Sequence, residues 1–575
     1  MPALARISRT AAILALLAVS LSPAQHAAAA PTPPGSTWFE TYITTPDGQS
    51  LHADVMRPVG LTDADKTPVI LIVSPYLGMA SNTEQPGPSN RFHDFINGAK
   101  VFERGYSVVM VSLRGTGGST GCLDILGPGE QTDVATAIRW AATQPWSNGK
   151  VGMYGKSYDA NTGVVGAVLQ TPGLAAVVAQ QITPDRYRGS YNDRVRYAQS
   201  LLYPSASYGA GGEGTFSING NPQYAVNSVS HTADCQVFLA DHYNEDESAP
   251  FWRVRDLAER AKGSTVPTLM TTGYIDANTN IGGGAIDFYN NLAGPKRMWI
   301  GWWDHVRGND MAGGQLAMGR QGWFDEVMRW YDYYLNAALM EQSPVQLDPV
   351  IAAQGSDGTW REETSFPPDD ATDLPVTLIN GSYEDDAENK GSNDEAAGPG
   401  GSPATVSAKT GHGSWTFSPP LPYDAHVTGI PSAQVQIDVQ VPRTNVAVNV
   451  YDVDPEGRAT MITRGAAMAD VDGVENVALY PTDWVFEAGH RIGVLVSGAN
   501  AEAFVHVPTN TNVTVTSGKV ELPFLRYVRT PDLQGDPAPR LETWLSNAPF
   551  NVPVATIESR TSTTFKPPPP LEPRP

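Results

Sequence analysis

Ser157 stands between an apolar run, KVGMYG at 150–155, and a stretch of small residues, NTGVVGAVL at 161–169. A strand, a sharp turn carrying Ser, and a helix together make a nucleophile elbow, which lifts a hydroxyl above the edge of a sheet. The strict Gly-x-Ser-x-Gly pattern is broken by Asp159, so the turn taken alone fits a plain strand–helix connection equally well. A serine nucleophile also needs a base and an acid, each at the end of a later strand. Asp276 follows VPTLMTTGYI and His305 follows RMWIGWWD. Of the ten His, His26 lies in the N-terminal leader, and His412, His426, His490 and His506 lie far downstream. His305 is the one placed at a strand end after an acid. Asp304 is a rival acid, but side chains adjacent in sequence rarely face one another, which favours Asp276. In this reading Ser157 attacks a carbonyl, His305 takes and returns the proton, and Asp276 holds the imidazole tautomer. The oxyanion needs donors: the Tyr158 N–H is one, and the Tyr76 phenol, in Ser74-Pro75-Tyr76, is a second or else an aromatic lid.

Positioning these groups takes a largely parallel sheet. Apolar, β-branched runs at 69–74, 106–113, 150–155, 175–182, 266–273 and 297–303 read as its buried strands. Thr132 and Asp133 precede Val134, Ala137, Ile138 and Ala141, which predicts a capped helix joining the second run to the third. The hydrolase part is therefore expected over 31–183 and 266–365, interrupted by a Tyr-, Arg- and Ser-rich cap at 184–265. A last helix is expected over 323–339, with Phe324, Val327, Met328 and Tyr331 inward. The Asp/Gly/Pro/Ser-rich segment 366–412 reads as a linker, alternating runs over 413–560 as an antiparallel β-sandwich, and 561–575 as an extended, solvated Pro-rich tail.

Residues 1–30 place Arg6 and Arg9 before an apolar run and four alanines, the pattern of a cleaved secretory signal. The expected location is thus extracellular, where Cys122 and Cys235, the two cysteines of the chain, could form a disulfide. Closing so long a loop would stabilise the fold by about 4–5 kcal/mol on chain entropy; two buried thiols are the alternative. With 38 basic and 60 acidic residues the formal charge is −22, which argues against a nucleic-acid partner. Beyond the leader no run reaches the length of a membrane-spanning helix. No cofactor or metal is expected. The loop Arg114–Gly121 departs from phosphate-binding patterns, and Asp452–Gly457 lacks the closing Glu of a calcium loop, with Thr463 in its place. The acidic run 244–247 could meet a substrate amine, but reads more simply as a solvated face.

Ser74-Pro75-Tyr76, Leu113-Arg114-Gly115-Thr116-Gly117-Gly118-Ser119, Gly155-Lys156-Ser157-Tyr158, Gly273-Tyr274-Ile275-Asp276 and Gly301-Trp302-Trp303-Asp304-His305, joined by Gly489-His490-Arg491, together resemble the cocaine esterase / Xaa-Pro dipeptidyl-peptidase family of serine hydrolases. The resemblance implies an α/β-hydrolase domain, a helical cap, a C-terminal jelly roll, and Tyr76 as the side-chain oxyanion donor. Ala160 stands where the family usually has Gly. Relatives acting on α-amino acid esters carry carboxylates close behind the catalytic Asp; here Ala277, Asn278 and Thr279 follow, which disfavours that class. The expected function is a secreted serine hydrolase acting on a small ester or peptide, by acyl-ester or Xaa-Pro dipeptidyl-type cleavage. The contrasting expectation is a secreted carbohydrate-binding protein with a relic hydrolase domain.

Overall fold

The computed structural model describes residues 32–78, 87–201, 221–230, 238–336, 350–386, 412–500, 503–547 and 550–574. The expected signal segment, part of the cap, the end of the helix predicted to 339, most of the expected linker, and Cys235 with its pairing to Cys122 lie outside these residues.

The hydrolase sheet is built from β1 (Ser36–Thr44), β2 (Ser50–Pro58), β3 (Thr67–Ser74), β4 (Ser107–Ser112), β5 (Ser147–Lys156), β6 (Leu174–Gln180), β7 (Thr268–Gly273), β8 (Lys296–Gly301), β9 (Ile351–Gln354) and β10 (Trp360–Glu363). Their order across the sheet is β1-β2-β4-β3-β5-β6-β7-β8-β9-β10. From β4 to β9 the strands run parallel, with antiparallel edges at β1–β2 and β9–β10. Residues of β3, β4 and β7 are buried throughout, as Val- and Ile-rich strands must be when both faces are covered. The chain steps from β3 to β4 on one side and returns to β5 on the other. That reversal opens a crevice at the carboxyl ends of β3 and β5, the ends that carry Tyr76 and Ser157.

Helix α1 (Pro128–Thr143) begins a turn earlier than Thr132 and Asp133 suggested, with Pro128 in its first turn. Asp133 is not a cap. It is buried in the helix body, where its carboxylate takes the Arg114 guanidinium at 2.7 and 2.9 Å. The capping is done from outside by Asp124, which accepts the N–H groups of Gly129 and Glu130 at 2.7 and 3.1 Å. Helix α2 (Tyr158–Leu169) follows Ser157, and α3 (Trp323–Leu335) buries Val327, Met328 and Tyr331 against the sheet.

The cap leaves the sheet after β6 and returns before β7. Its described part packs Tyr187, Tyr191 and Trp252 into a small aromatic core, and Arg255 ties it to the hydrolase domain through the Ile125 carbonyl at 2.9 Å. The C-terminal domain is a sandwich of a seven-stranded and a five-stranded sheet. It starts earlier than expected. Strands β11 (Ala371–Thr377) and β12 (Gly381–Glu384), inside the supposed linker, both pair with the long strand β14 (Asn512–Leu525), while β13 (Thr482–Phe486) lies across the same sheet. Buried Val376 and Leu378 supply an inward alternation that the surrounding acidic residues conceal. The tail is extended but docked: Glu572 pairs with the 526–528 backbone and the Pro568 carbonyl accepts the Tyr423 hydroxyl.

Candidate active site

Ser157 is the single residue between β5 and α2, with φ 65° and ψ −126°. A non-glycine residue held there is strained, and such strain is sustained where the surroundings over-determine the backbone. Here the Ser157 N–H donates to the Gln180 carbonyl at 2.9 Å and its carbonyl accepts the Asn161 N–H at 3.0 Å. Gly155 makes the turn possible, because a Cβ at that position would stand 2.3 Å from the Asp159 backbone.

His305 and Asp276 come together from the loops after β8 and β7. His305 Nδ1 lies 2.8 Å from Asp276 Oδ2, both side chains being buried. Asp276 also accepts the Asn278 N–H at 2.8 Å, the Thr279 N–H at 3.1 Å and the Thr279 hydroxyl at 2.6 Å. Burial alone would raise its pKa; the interactions with His305 and Thr279 outweigh burial and hold it below the usual carboxylate range. At His305, burial disfavours the imidazolium and Lys156 adds to that, while Asp276 opposes; the net direction is downward, leaving a neutral ring with Nδ1–H toward the carboxylate. Asp304 instead accepts the His305 backbone N–H at 2.6 Å. Burial, then the Asp276 charge, pushes its pKa up to about 6. The loop of His305 is fixed by Gln180, which accepts the Gly308 N–H at 3.0 Å, and by Gln181, which donates to the Val306 carbonyl at 3.2 Å and accepts the Gly273 N–H at 3.1 Å.

Tyr76 reaches the same place from β3. Its hydroxyl lies within electrostatic reach of the Ser157 side chain, and its pKa is pushed up to about 12 by burial and then by Asp159. The phenol is therefore a neutral donor. Its ring stands edge-on to Tyr158, centroids 6.3 Å apart. The Tyr158 hydroxyl turns away, donating to Glu130 at 2.7 Å and accepting the Leu126 N–H at 3.1 Å. What Tyr158 offers the crevice is its backbone N–H, one of the helix-start donors without an intrahelical acceptor. Glu130, fully buried, has its pKa raised to about 8 by desolvation and then by Asp124.

Sequence reasoning missed Arg91 and the roles of Asp159 and Lys156. Arg91 lies in an irregular loop with no motif around it, and Asp159 figured only as a break in a pattern. Arg91 Nε donates to Asp159 Oδ2 at 2.8 Å, and its Nη2 meets the same oxygen. Two clefts of about 240 Å³ open elsewhere, one between cap, residues 281–287 and sandwich, the other on the sandwich around His490; neither is lined by Ser157, Tyr76 or His305. Among the described residues no group of three or more His, Cys, Asp or Glu is arranged to hold a metal.

The sequence matches the X-Pro dipeptidyl-peptidase (S15 family) domain over residues 47–307 and the X-Pro dipeptidyl-peptidase C-terminal non-catalytic domain over 345–536. The chain belongs to this family of serine hydrolases. A Bacillus anthracis protein named as an Xaa-Pro dipeptidyl-peptidase is 23% identical over 541 residues, covering 82% of this chain and 84% of its own length. The cocaine esterase of Rhodococcus sp. (strain MB1 Bresler) is 24% identical over 545 residues, covering 79% and 89%. An α-amino acid ester hydrolase structure superposes with a TM-score of 0.65 at 18% identity, covering 88% of this chain and all of that one, which speaks to the fold. A CocE/NonD family hydrolase from Staphylococcus aureus gives 0.63 at 15% identity, covering 85% and 94%. The family acts on ester or X-Pro peptide bonds, so its substrates are small molecules.

Proposed function

We propose that this protein is a secreted serine hydrolase working through an acyl-enzyme, with Ser157 as nucleophile, His305 as general base and acid, and Asp276 as the orienting carboxylate. The contact of Asp276 with His305 at 2.8 Å carries the reading, with Gln180 tying the strained Ser157 turn, by its carbonyl, to the His305 loop, by its side chain. Neutral His305 accepts the Ser157 proton as the hydroxyl attacks the acyl carbonyl; Asp276 stabilises the imidazolium that forms. The carbonyl oxygen becomes an oxyanion between the Tyr76 hydroxyl and the Tyr158 N–H. The imidazolium then protonates the leaving group, and water repeats the sequence on the acyl-enzyme. The leader at 1–30 supports export, and an oxidising destination supports a bridge between Cys122 and Cys235.

Between the family's two substrate classes we favour esters without an α-amino group. Recognition of an α-ammonium calls for a spare carboxylate beside the acyl carbonyl. Among the described residues the carboxylates around Tyr76 and His305 are engaged: Asp159 by Arg91, Asp276 by His305 and Thr279, Asp304 by the His305 N–H, and Asp310 by Arg307 at 2.7 Å. The test has two parts. A fluorophosphonate probe should label Ser157, whereas a relic hydrolase domain serving carbohydrate binding would leave it unlabelled. p-Nitrophenyl propionate should then be turned over with higher kcat/KM than alanine p-nitrophenyl ester, with Ala-Pro p-nitroanilide slower still; faster cleavage of the anilide would move the assignment to the dipeptidyl-peptidase class.

A further inference from the structure

We propose that Arg91 is a positioning residue for the oxyanion site, locking the Tyr76 ring to the helix that carries the Ser157 turn; this rests on the reading of Tyr76 given above. The two oxyanion donors come from different elements, the phenol from the end of β3 and the N–H from the start of α2. Their spacing must be held to a fraction of an ångström for both to meet one oxygen. Arg91 spans that gap. Its guanidinium carbon stands 4.6 Å from the centroid of the Tyr76 ring and 4.7 Å from that of Phe92, so the planar cation lies against two aromatic rings at once. Its fork grips Asp159, two residues past Ser157, whose side chain is wholly buried. Ser74 adds a hold on the backbone of the donor: its hydroxyl accepts the Tyr76 N–H at 3.0 Å.

Asp159 thereby acquires a reason. A buried carboxylate next to the nucleophile would repel the developing oxyanion if it stood alone. Paired with Arg91 it becomes an anchor, and the cation it holds faces the ring of the donor. Arg91 makes no hydrogen bond to Ser157 or His305. Its charge adds to the burial and the Lys156 charge that lower the His305 pKa, which moves the acid limb of the rate, so the part of its effect that passes through Tyr76 is the part read in kcat at the alkaline plateau.

That route is measurable in a double-mutant cycle on p-nitrophenyl acetate with Arg91→Gln, Tyr76→Phe and the pair, each checked for wild-type thermal unfolding. Arg91→Gln should lower kcat on the order of 10-fold with KM nearly unchanged, the scale of a desolvated cation–π contact. In the Tyr76→Phe background the same change should cost less than about twofold, because the ring it served no longer donates. Equal losses in both backgrounds, or a loss confined to KM, would overturn the proposal. Should Arg91→Gln fail to fold, Asp159→Asn, which keeps the shape and releases the guanidinium, takes its place in the cycle with the same expectations. Fluorophosphonate labelling of the wild-type protein separates the two levels: an unlabelled Ser157 removes the reading of the site itself, whereas a labelled Ser157 with an additive cycle removes only the role of Arg91.

Discussion

The candidate site and the sandwich both contain His–Asp pairs of nearly the same length. His305–Asp276 measures 2.8 Å, His490–Asp452 2.8 Å, His426–Asp483 2.7 Å and His506–Asp385 2.7 Å. Distance therefore does not single out the pair proposed to work. The surroundings do. His305 is driven below its ordinary pKa by burial and by Lys156, so its ring stays neutral with a strained serine turn nearby. His490 is driven upward, first by its hydrogen bond to Asp452, and shares that carboxylate with the Trp484 indole at 3.0 Å. His426 shares Asp483 with the Arg361 guanidinium, an ion pair joining β10 to β13. The His305 ring is held neutral in a buried loop, whereas His426 and Asp483 join paired strands of the sandwich.

The largest predicted effect tests that distinction directly. Ser157→Ala should abolish turnover, with a loss on the order of 10⁶-fold as for a removed triad serine, and Asp276→Asn should cost roughly 10⁴-fold through loss of the tautomer. His490→Gln should leave kcat within about twofold of wild type, whatever it does to stability. Steady-state kinetics on one ester substrate settles all three, and a crippled His490→Gln alongside a healthy Asp276→Asn would reverse the assignment.

Tyr76→Phe comes next. A neutral phenol acting on the oxyanion contributes mainly in the transition state, so kcat should fall on the order of 10²–10³-fold with KM little changed. A pure KM effect would make Tyr76 a lid.

The pH dependence sharpens the comparison further. Because the folded pKa of His305 lies below its unfolded value near ~6.5, the base stays neutral into mild acid. The acid limb of kcat/KM should accordingly have its midpoint below ~6.5 and level off above it. Removing the Lys156 charge with Lys156→Met should move that limb upward. In stability the two histidines have opposite signs. The contribution of His305 is present above the unfolded pKa and lost as pH falls, whereas that of His490 is present in acid and lost as pH rises through its raised folded pKa. Thermal melts of His490→Gln across pH should lose only the acid-side share.

The smallest effect concerns Cys122 and Cys235. Intact mass of the exported protein under non-reducing alkylation should show no alkylated thiol; two alkylated thiols would contradict the bridge.

The places of Ser157, Asp276 and His305 in the fold were legible because they depend on order along the chain. Ser157, Asp276 and His305 each follow an apolar run, and strand ends are where this fold gathers side chains. Three features were hidden, each for a physical reason. Asp133 looked like a cap because its partner, Arg114, is distant in sequence; only burial reveals it as an ion pair in the helix body. Strands β11 and β12 were taken for linker because their exposed positions carry acids, and the pairing that orders them comes from residues 512–525. Arg91 carries no local pattern at all, since its meaning lies in contacts with Tyr76, Phe92 and Asp159 that no sequence window contains.

The Arg361–Asp483 joint has a thermodynamic consequence. Arg361 is also gripped by Glu363 at 2.8 Å, and the Asp483 carbonyl accepts the indole N–H of Trp302, three residues before His305. Separating the two domains would break the buried Arg361–Asp483 pair and uncover the Trp302 ring from Trp484, whose centroids lie 5.1 Å apart. The hydrolase half and the sandwich should therefore melt as one cooperative unit in calorimetry, a single endotherm in which loss of activity coincides with loss of the β-sandwich.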